Sequence, residues 1–161
     1  MVRIDDEETY SKIVEQFSDM IFRIAYQSLL NFADSEDVVQ EVFVKLLCHK
    51  GGFEDEEHLK AWLIRVTVNQ CRDFRRMFLR RGEVPIEDMD IPFEQKDEFV
   101  LDELKKLSKF DRTVIYLHDY EGYTIQEISN ILKKNQNTVS SRLTRARTKL
   151  KRILQEGGWQ I

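Results

Sequence analysis

Glycine and proline, the residues that most often turn a chain, are scarce in this sequence. Its 161 residues include six glycines and two prolines, about 5% of the chain where about 12% is usual. A sandwich or barrel of many short strands needs frequent turns, so this scarcity argues against both folds. We predict an all-α protein.

Cysteine and long apolar runs are lacking as well. Cys48 and Cys71 are too few for a disulfide framework, and two free thiols suit a reducing compartment. The longest stretch without a charge, residues 24–33, is half the length of about 20 residues that a membrane span requires. The first residues are acidic, where a secretory signal would be basic and then apolar. We therefore expect a cytoplasmic protein with no membrane insertion of its own.

Signatures of catalysis and of cofactor binding are missing too. The three histidines and two cysteines lack the spacing of metal ligands, and the sequence has no glycine-rich phosphate loop. Its acidic residues lie where helix capping or solvation explains them. We predict no enzymatic activity, no metal site and no cofactor.

The chain also lacks a net basic charge, since 25 Lys and Arg stand against 29 Asp and Glu. Electrostatic binding depends on local patches rather than on the sum over the chain. Residues 60–81 hold seven bases and one acid, and residues 133–152 hold eight bases and no acid. These two segments, the first and second basic islands, indicate nucleic-acid contacts within an otherwise acidic chain.

Apolar residues at steps of three and four predict three amphipathic helices before residue 81. The first runs from about Glu7 to Leu30, the second follows an N-cap at Asp34, and the third runs from near His58 to about Arg80. The side chains predicted to face inward on the second and third helices are Val38, Val39, Val42, Phe43, Leu46, Leu47, Leu59, Leu63, Val66, Gln70, Phe74 and Met77.

Residues 81–98 contain both prolines, many acids and little helical periodicity, which predicts a flexible linker. The linker separates two small helical domains, residues 1–80 and residues 99–161. The second domain is predicted to open with one helix carrying Val100, Leu101, Leu104 and Leu107 and another carrying Val114, Ile115 and Leu117.

The second basic island lies in a helix-turn-helix pattern. Thr124 and Glu127 have the spacing of a capping box that opens a short helix, residues 133–135 form the turn, and a final helix runs to about Gln155. Short hydroxyl side chains near the start of that helix suit close approach to a DNA major groove. One stripe of the helix holds Val139, Leu143, Ala146 and Leu150, the opposite side holds Ser140, Ser141, Thr144 and Thr148, and the predicted phosphate contacts are Arg142, Arg145, Arg147, Lys149, Lys151 and Arg152. The alternative is a solvated basic helix that caps a bundle.

The first basic island forms a stripe on the third helix. Arg65, Asn69, Arg72 and Arg76 are spaced by four, three and four residues, so they share one face, with Trp62 at its margin. Such a face can follow a phosphate backbone while Asn69 or Trp62 meets an exposed base. The alternative is a solvated stripe with Trp62 in the core.

Three sequence blocks resemble bacterial sigma factors, most closely the small two-domain extracytoplasmic-function group. They are DSEDVVQEVF at residues 34–43, WLIRVTVN at 62–69 followed by DFRR at 73–76, and TIQEIS at 124–129 followed by TVSSRLTRAR at 138–147. The resemblance covers nearly the whole chain, in the order and spacing of that family.

The resemblance implies a function in transcription initiation. The first domain would be sigma region 2, whose acidic helix docks on the β′ clamp helices of core RNA polymerase. Its loop at residues 53–59, with Trp62, Arg65 and Asn69, would capture an unstacked base of the −10 element and help to open the duplex. The second would be region 4, which contacts the β flap and reads the −35 element in promoter DNA. An anti-sigma factor that masks both basic faces is a further expected partner. The implied polymerase contacts are Asp34, Asp37, Val39, Gln40, Glu41 and Phe43; the −10 contacts are Trp62, Arg65, Asn69, Arg72 and Arg76; and the −35 contacts are Gln136, Asn137, Thr138, Ser140, Ser141, Arg142, Thr144 and Arg145.

Four departures from the family pattern accompany the resemblance. The family usually has a smaller residue at Ser129 and glycines at Lys133 and Asn137, and a lysine forced to positive φ costs about 1 kcal/mol. The loop at residues 54–57 is entirely acidic and would repel phosphate.

Two functional hypotheses follow from these patterns. The first is an alternative sigma factor, which needs both islands and the acidic second helix. The second is a stand-alone helix-turn-helix regulator, which needs only the second island and no polymerase contact.

Overall fold

The structure, a computed structural model, describes residues 1–82 and 103–158 and divides the chain into two units, Met1–Asp90 and Ile91–Ile161. Helices dominate the described parts of both units, where β structure is limited to an isolated antiparallel bridge between Val2 and Phe53. The all-α prediction is confirmed. No helix in these two ranges is long and apolar enough to cross a membrane.

The first unit is a three-helix bundle of α1 (Glu7–Leu29), α2 (Phe32–Leu47) and α3 (Glu56–Arg80), and each helix packs on the other two. Their apolar faces meet in one core, as the three- and four-residue spacing predicted. Side chains that are almost completely buried in it are Ile21, Ile24, Val38, Val42, Leu46, Leu59, Leu63 and Ile64.

The start of α2 differs from the prediction. Asn31, not Asp34, is the N-cap: its side-chain oxygen accepts a hydrogen bond from the Asp34 backbone N–H at 2.9 Å. Asn and Asp cap helices about equally well, and no breaker separates the two positions, so the helix extends back to the earlier cap. Leu30 ends α1 in the left-handed region at φ 51°, which leaves a very short connection. Asp34 therefore lies inside the first turn of α2.

The third helix begins two residues before the predicted start, because Asp55 caps it by accepting the His58 N–H at 2.7 Å. Its inward face is also rotated by roughly 60° from the predicted one, at 100° per residue. Ile64, Thr67 and Cys71 complete the buried set. The predicted inward residues Val66, Gln70 and Phe74 are only half-buried, and Met77 is 40% exposed.

The second unit comprises α4 (Lys109–Ile115), a π-helical turn (Tyr116–Tyr120), α5 (Ile125–Leu132) and α6 (Gln136–Glu156). Helix α6 packs on both α4 and α5. Its predicted stripe is buried at Val139, Leu143 and Ala146, whereas Leu150 is half-buried. The surrounding core contains Leu107, Val114, Leu117, Ile128, Ile131 and Ile153.

The region before α4 agrees only partly with the prediction. Leu104–Lys106 form a single 3-10 turn instead of a longer helix, and the predicted helix residues Val100 and Leu101 lie outside the described residues. Arg81 and Gly82 form a turn after α3, and the rest of the predicted linker also lies outside the described residues.

Candidate nucleic-acid interfaces

Helices α5 and α6 form the predicted helix-turn-helix. The Thr124 hydroxyl accepts a hydrogen bond from the Glu127 N–H at 3.2 Å, which is the first half of a capping box. Lys133 ends α5 in the left-handed region at φ 52°, and its N–H donates to the Ser129 carbonyl. The Ser129 hydroxyl donates to the Lys134 carbonyl, so this departure from the family pattern satisfies a backbone group of the turn.

We expect Lys133→Gly to stabilise the protein, because glycine adopts positive φ without steric cost. The gain should be about 1 kcal/mol in the free energy of unfolding, which shifts the melting temperature of a domain this size by about 4–8 °C. Lys134→Gly is the matched control, since Lys134 does not lie at positive φ. The control should be neutral or destabilising, and equal effects of the two changes would contradict this account.

The start of α6 presents a polar, accessible surface. Asn135 caps the helix by accepting the Asn137 N–H at 2.7 Å. Ser140 is half-buried at the edge of this surface, and the remaining hydroxyl and amide side chains are exposed. The exposed members of the predicted −35 contacts are Gln136, Asn137, Thr138, Ser141, Thr144 and Arg145.

Arg142 differs from its neighbours because its guanidinium has partners inside the same unit. Its Nε lies 3.0 Å from the Asp111 carboxylate and its Nη2 donates to the Ser108 hydroxyl at 3.2 Å. The guanidinium also lies over the Phe110 ring, 5.3 Å from the centroid. These contacts join α6 to the N-terminus of α4, so Arg142 contributes to the orientation of α6.

Arg147, another predicted phosphate contact, is also held within the second unit. Its guanidinium binds both carboxylate oxygens of Asp119 and lies 2.9 Å from Nδ1 of His118. Partial burial raises the pKa of the Asp119 carboxyl, but hydrogen bonds and positive charge from Arg147 and His118 lower it by more. The net pKa of Asp119 is below its ordinary value, so the charged form stabilises the folded state.

A lowered carboxyl pKa gives stability that is present above the ordinary Asp value of about 3.9 and is lost as the pH falls through the folded value. We therefore expect Asp119→Asn to be less stable than the wild type at neutral pH, and the difference in stability should shrink as the pH falls below about 3.9. Denaturant midpoints measured across this range test the prediction. Glu156→Gln, at the exposed end of α6, is the control, and a difference that persists in acid would contradict the proposed linkage.

The predicted stripe on α3 is present and faces away from the core. Arg72 and Arg76 are exposed, and Arg65 and Asn69 are half-buried. Arg75, beside the stripe, instead donates to the Ser28 carbonyl near the end of α1. This hydrogen bond satisfies a carbonyl group in the last turn of α1, and it directs the Arg75 guanidinium towards α1.

Trp62 is half-buried in an aromatic cluster at one end of this stripe. Phe53, 1% exposed, is its centre: His49 stacks on Phe53 with centroids 4.8 Å apart, and Trp62 and His58 each lie at 5.5 Å. Nδ1 of His58 accepts the Glu54 N–H at 3.1 Å. Trp62 is thus held on a core residue while part of its ring stays accessible. No group of three or more His, Cys, Asp or Glu side chains suited to a metal ion occurs in residues 1–82 or 103–158.

Helix α2 exposes an acidic face with apolar residues beside it. Asp37, Gln40 and Glu41 are exposed, and Val44 and Leu47 follow them at 52% and 59% exposure. The inward placement predicted for Leu47 is therefore wrong. Val44 was missed, although its position three residues after Glu41 and seven after Asp37 marks it as part of the same helix face.

The other predicted polymerase contacts lie at the margins of this face. Val39 is half-buried, and Phe43 is 6% exposed because it packs edge-on against Tyr10. Asp34 is half-buried, and this burial, together with the charge of Asp37, raises the pKa of its carboxyl. The exposed residues on this side of α2 therefore form one surface, which we call the α2 docking face. It consists of Asp37, Gln40, Glu41, Val44 and Leu47.

Comparison with known proteins gives a family match in each of the two units. The Sigma-70 region 2 family model matches residues 13–81, and the Sigma-70 region 4 model matches residues 100–150. The RNA polymerase sigma factor SigV of Bacillus subtilis (strain 168) is 30% identical over 137 residues, with 82% of each chain covered. The ECF RNA polymerase sigma factor SigW of the same organism is 25% identical over 177 residues, covering 96% of this chain and 94% of SigW. The chain belongs to the extracytoplasmic-function group of the sigma-70 family.

A solved structure extends the similarity of this sigma factor to three dimensions. The sigma factor RpoE of Bartonella quintana, crystallised in complex with the anti-sigma factor NepR, aligns with a TM-score of 0.72 at 26% identity. The alignment covers 92% of this chain and 98% of RpoE. The region 2 match ends just after α3, and the region 4 match spans α4, α5 and most of α6. The function is that of an alternative sigma factor, a regulatory subunit and not an enzyme.

Proposed function

We propose that this sigma factor binds core RNA polymerase through the α2 docking face. Exposed carboxylates at Asp37 and Glu41 next to apolar Val44 and Leu47 suit a partner groove that is basic with an apolar floor. The acids supply orientation and a fast encounter, and the apolar pair supplies buried area. Asp34, Val39 and Phe43 support the face from its margins, with Phe43 as a packing residue. The partner surface is the β′ clamp helices.

For the −10 element, we propose contact through the outward stripe of α3. Arg72 and Arg76 are placed to follow the phosphate backbone, while Asn69 and Trp62 meet an unstacked base. Arg65 lies between the amide and the indole on the same face. The partial exposure of Trp62 on a fixed aromatic base favours stacking on a nucleotide.

For the −35 element, we propose that α6 enters the major groove with its first three turns. Exposed Ser141, Thr144 and Arg145 suit contacts with base edges. We assign Arg142 a part in orienting α6 through Asp111, in addition to any phosphate contact. Region 4 also carries the contact with the β flap. The supporting polar residues are Gln136, Asn137, Thr138 and Ser140.

We propose a domain division at residues 1–80 and 99–161 with a flexible linker over 81–98. About 18 flexible residues span about 25 Å on average. Successive major-groove faces of DNA lie about 34 Å apart, which an extended linker can reach, so both domains can bind one promoter. The net charge of −4 makes binding of the free protein to DNA weak, and the polymerase would supply the missing affinity.

We further propose that the protein acts in the cytoplasm and is restrained there by an anti-sigma factor that covers both basic faces. The complex of the similar sigma factor RpoE with NepR supports such a partner. Purification of this chain from its native host should yield it with a bound partner protein. Repeated recovery of only the free chain or its polymerase complex would contradict this part.

The observation that carries the proposal is that each family match falls on a unit that exposes a basic helix face. Reconstitution with core RNA polymerase tests it. We expect a stable complex and initiation at promoters identified by chromatin pull-down and sequencing. Absence of a complex at every salt concentration would disprove the function.

A further inference from the structure

The N-terminal segment before α1 is bound to the loop that carries the aromatic cluster. Val2 donates its N–H to the Phe53 carbonyl at 2.7 Å, and Phe53 donates its N–H to the Val2 carbonyl at 2.8 Å. This antiparallel bridge is the one piece of β pairing in the described residues. Both backbone groups of a completely buried residue are thus satisfied by a segment from outside the loop.

Gly52 permits this close approach. A Cβ at residue 52 would lie 3.0 Å from the Val2 carbonyl oxygen and 3.1 Å from the side chains of Met1 and Arg3. Gly52 does not lie at positive φ, so its lack of a side chain serves the contact and not the backbone conformation. The loop and the N-terminal segment are therefore fitted to each other at two adjacent residues.

Phe53 connects this bridge to the proposed DNA face. Its ring supports Trp62 at 5.5 Å and stacks on His49 at 4.8 Å, while His49 lies 5.0 Å from Trp62. Trp62 is therefore supported by the Phe53 ring, whose position depends on the backbone at residue 53, and by His49, which stacks on that ring. Displacement of Phe53 would remove one of the two rings beside Trp62 and the stacking partner of the other.

We propose that residues 1–4 are a strap that positions Trp62 for capture of an unstacked promoter base, with Val2 and Gly52 as positioning residues. The inference rests on the proposed function at the −10 element. The strap acts through backbone hydrogen bonds, so it tolerates changes of the Val2 side chain but not of its N–H. Because the strap orders the loop before DNA binds, less conformational entropy is lost when the base is captured.

The test compares Val2→Pro, which removes the donor to Phe53, with Val2→Ala, which keeps it. Gly52→Ala is a second variant that disturbs the same contact from the loop side. Each is assembled with core polymerase and assayed for opening of a duplex promoter and of the same promoter with a mismatched −10 region. Val2→Pro and Gly52→Ala should slow duplex opening about fivefold to tenfold, with Val2→Ala within about twofold. The mismatched template should restore both to within about twofold of the wild type.

A second readout needs no polymerase. In a Trp159→Phe background, Trp62 fluorescence reports on the cluster, and acrylamide quenching should increase in Val2→Pro and Gly52→Ala but not in Val2→Ala. Duplex opening at wild-type rates by both variants, unchanged quenching, or loss of polymerase binding together with opening would each overturn the strap. Failure of the wild type to bind polymerase would instead contradict the proposed function, while the quenching measurement would still test the strap.

Discussion

Replacement of Asp37 and Glu41 by lysine should weaken binding to core RNA polymerase by about 100-fold or more. Both carboxylates are exposed at the centre of the α2 docking face, and like charges placed across an interface cost several kcal/mol. The fold should be unaffected, because neither side chain belongs to the core. Titration of labelled core enzyme at several salt concentrations measures the effect, which should shrink as salt screens it.

Asp5→Lys with Glu15→Lys is the matched control, since it changes the net charge equally at exposed positions outside this face. The control should bind polymerase within a few-fold of the wild type. Equal losses in the two double variants would mean that net charge alone matters. An Asp37→Lys/Glu41→Lys protein that still regulated its promoters would favour the stand-alone helix-turn-helix regulator.

The α2 docking face contains apolar residues as well as charged ones. Val44 and Leu47 are large and more than half exposed, at positions where a merely solvated helix would carry polar groups. The sequence pattern assigned Leu47 to the core because it continues the apolar series of Phe43 and Leu46. Only the packing of α2 on α1 and α3 decides which edge of that apolar stripe stays uncovered.

Apolar spacing and capping residues predicted each of the three helices in the first unit. They did not predict where α2 begins or which face of α3 is buried. The start of α2 shows the limit: Asn31 and Asp34 are equivalent caps, and the choice depends on where Leu30 ends α1. On α3, the apolar residues Phe74 and Met77 pointed to a face that the bundle does not bury fully. Gln70, which was also predicted to face inward, instead lies at the edge of the bundle. Its side-chain oxygen accepts a hydrogen bond from Lys45 on α2 at 2.5 Å, a contact between helices that the spacing within α3 does not reveal.

The sequence predicted where the candidate DNA faces lie, but it did not predict which arginines have partners inside the protein. Counting charges finds the second basic island, but the partners of Arg142 and Arg147 lie 31 and 28 residues earlier in the chain, at Asp111 and Asp119. No helical spacing connects such pairs. A basic stripe in a sequence therefore overstates the charge that the folded helix offers to phosphate.

Arg142 and Arg145 should consequently differ in what their loss does. We expect Arg145→Ala to reduce −35-dependent promoter binding by roughly 10- to 100-fold, as the loss of a good base-edge contact does, and to relax the preference at one position of the element. Arg145 is exposed, and within residues 1–82 and 103–158 its hydrogen bond is from Nε to the Ser141 carbonyl one turn earlier, at 3.3 Å. The measurement is binding of the polymerase complex to promoters substituted singly through the −35 element.

Arg142→Ala should instead lower the free energy of unfolding by about 1 kcal/mol, because it removes the ion pair with Asp111 and the contact with Phe110. Its promoter binding should fall uniformly across the substituted −35 elements, since a tilted α6 weakens every base contact together. Position-specific loss in Arg142→Ala, with stability unchanged, would make Arg142 a base-reading residue. Asp111→Asn separates the two roles, because it removes the ion pair but keeps the Arg142 side chain that could contact DNA. This variant should show the same uniform loss of promoter binding only if Arg142 acts by orienting α6.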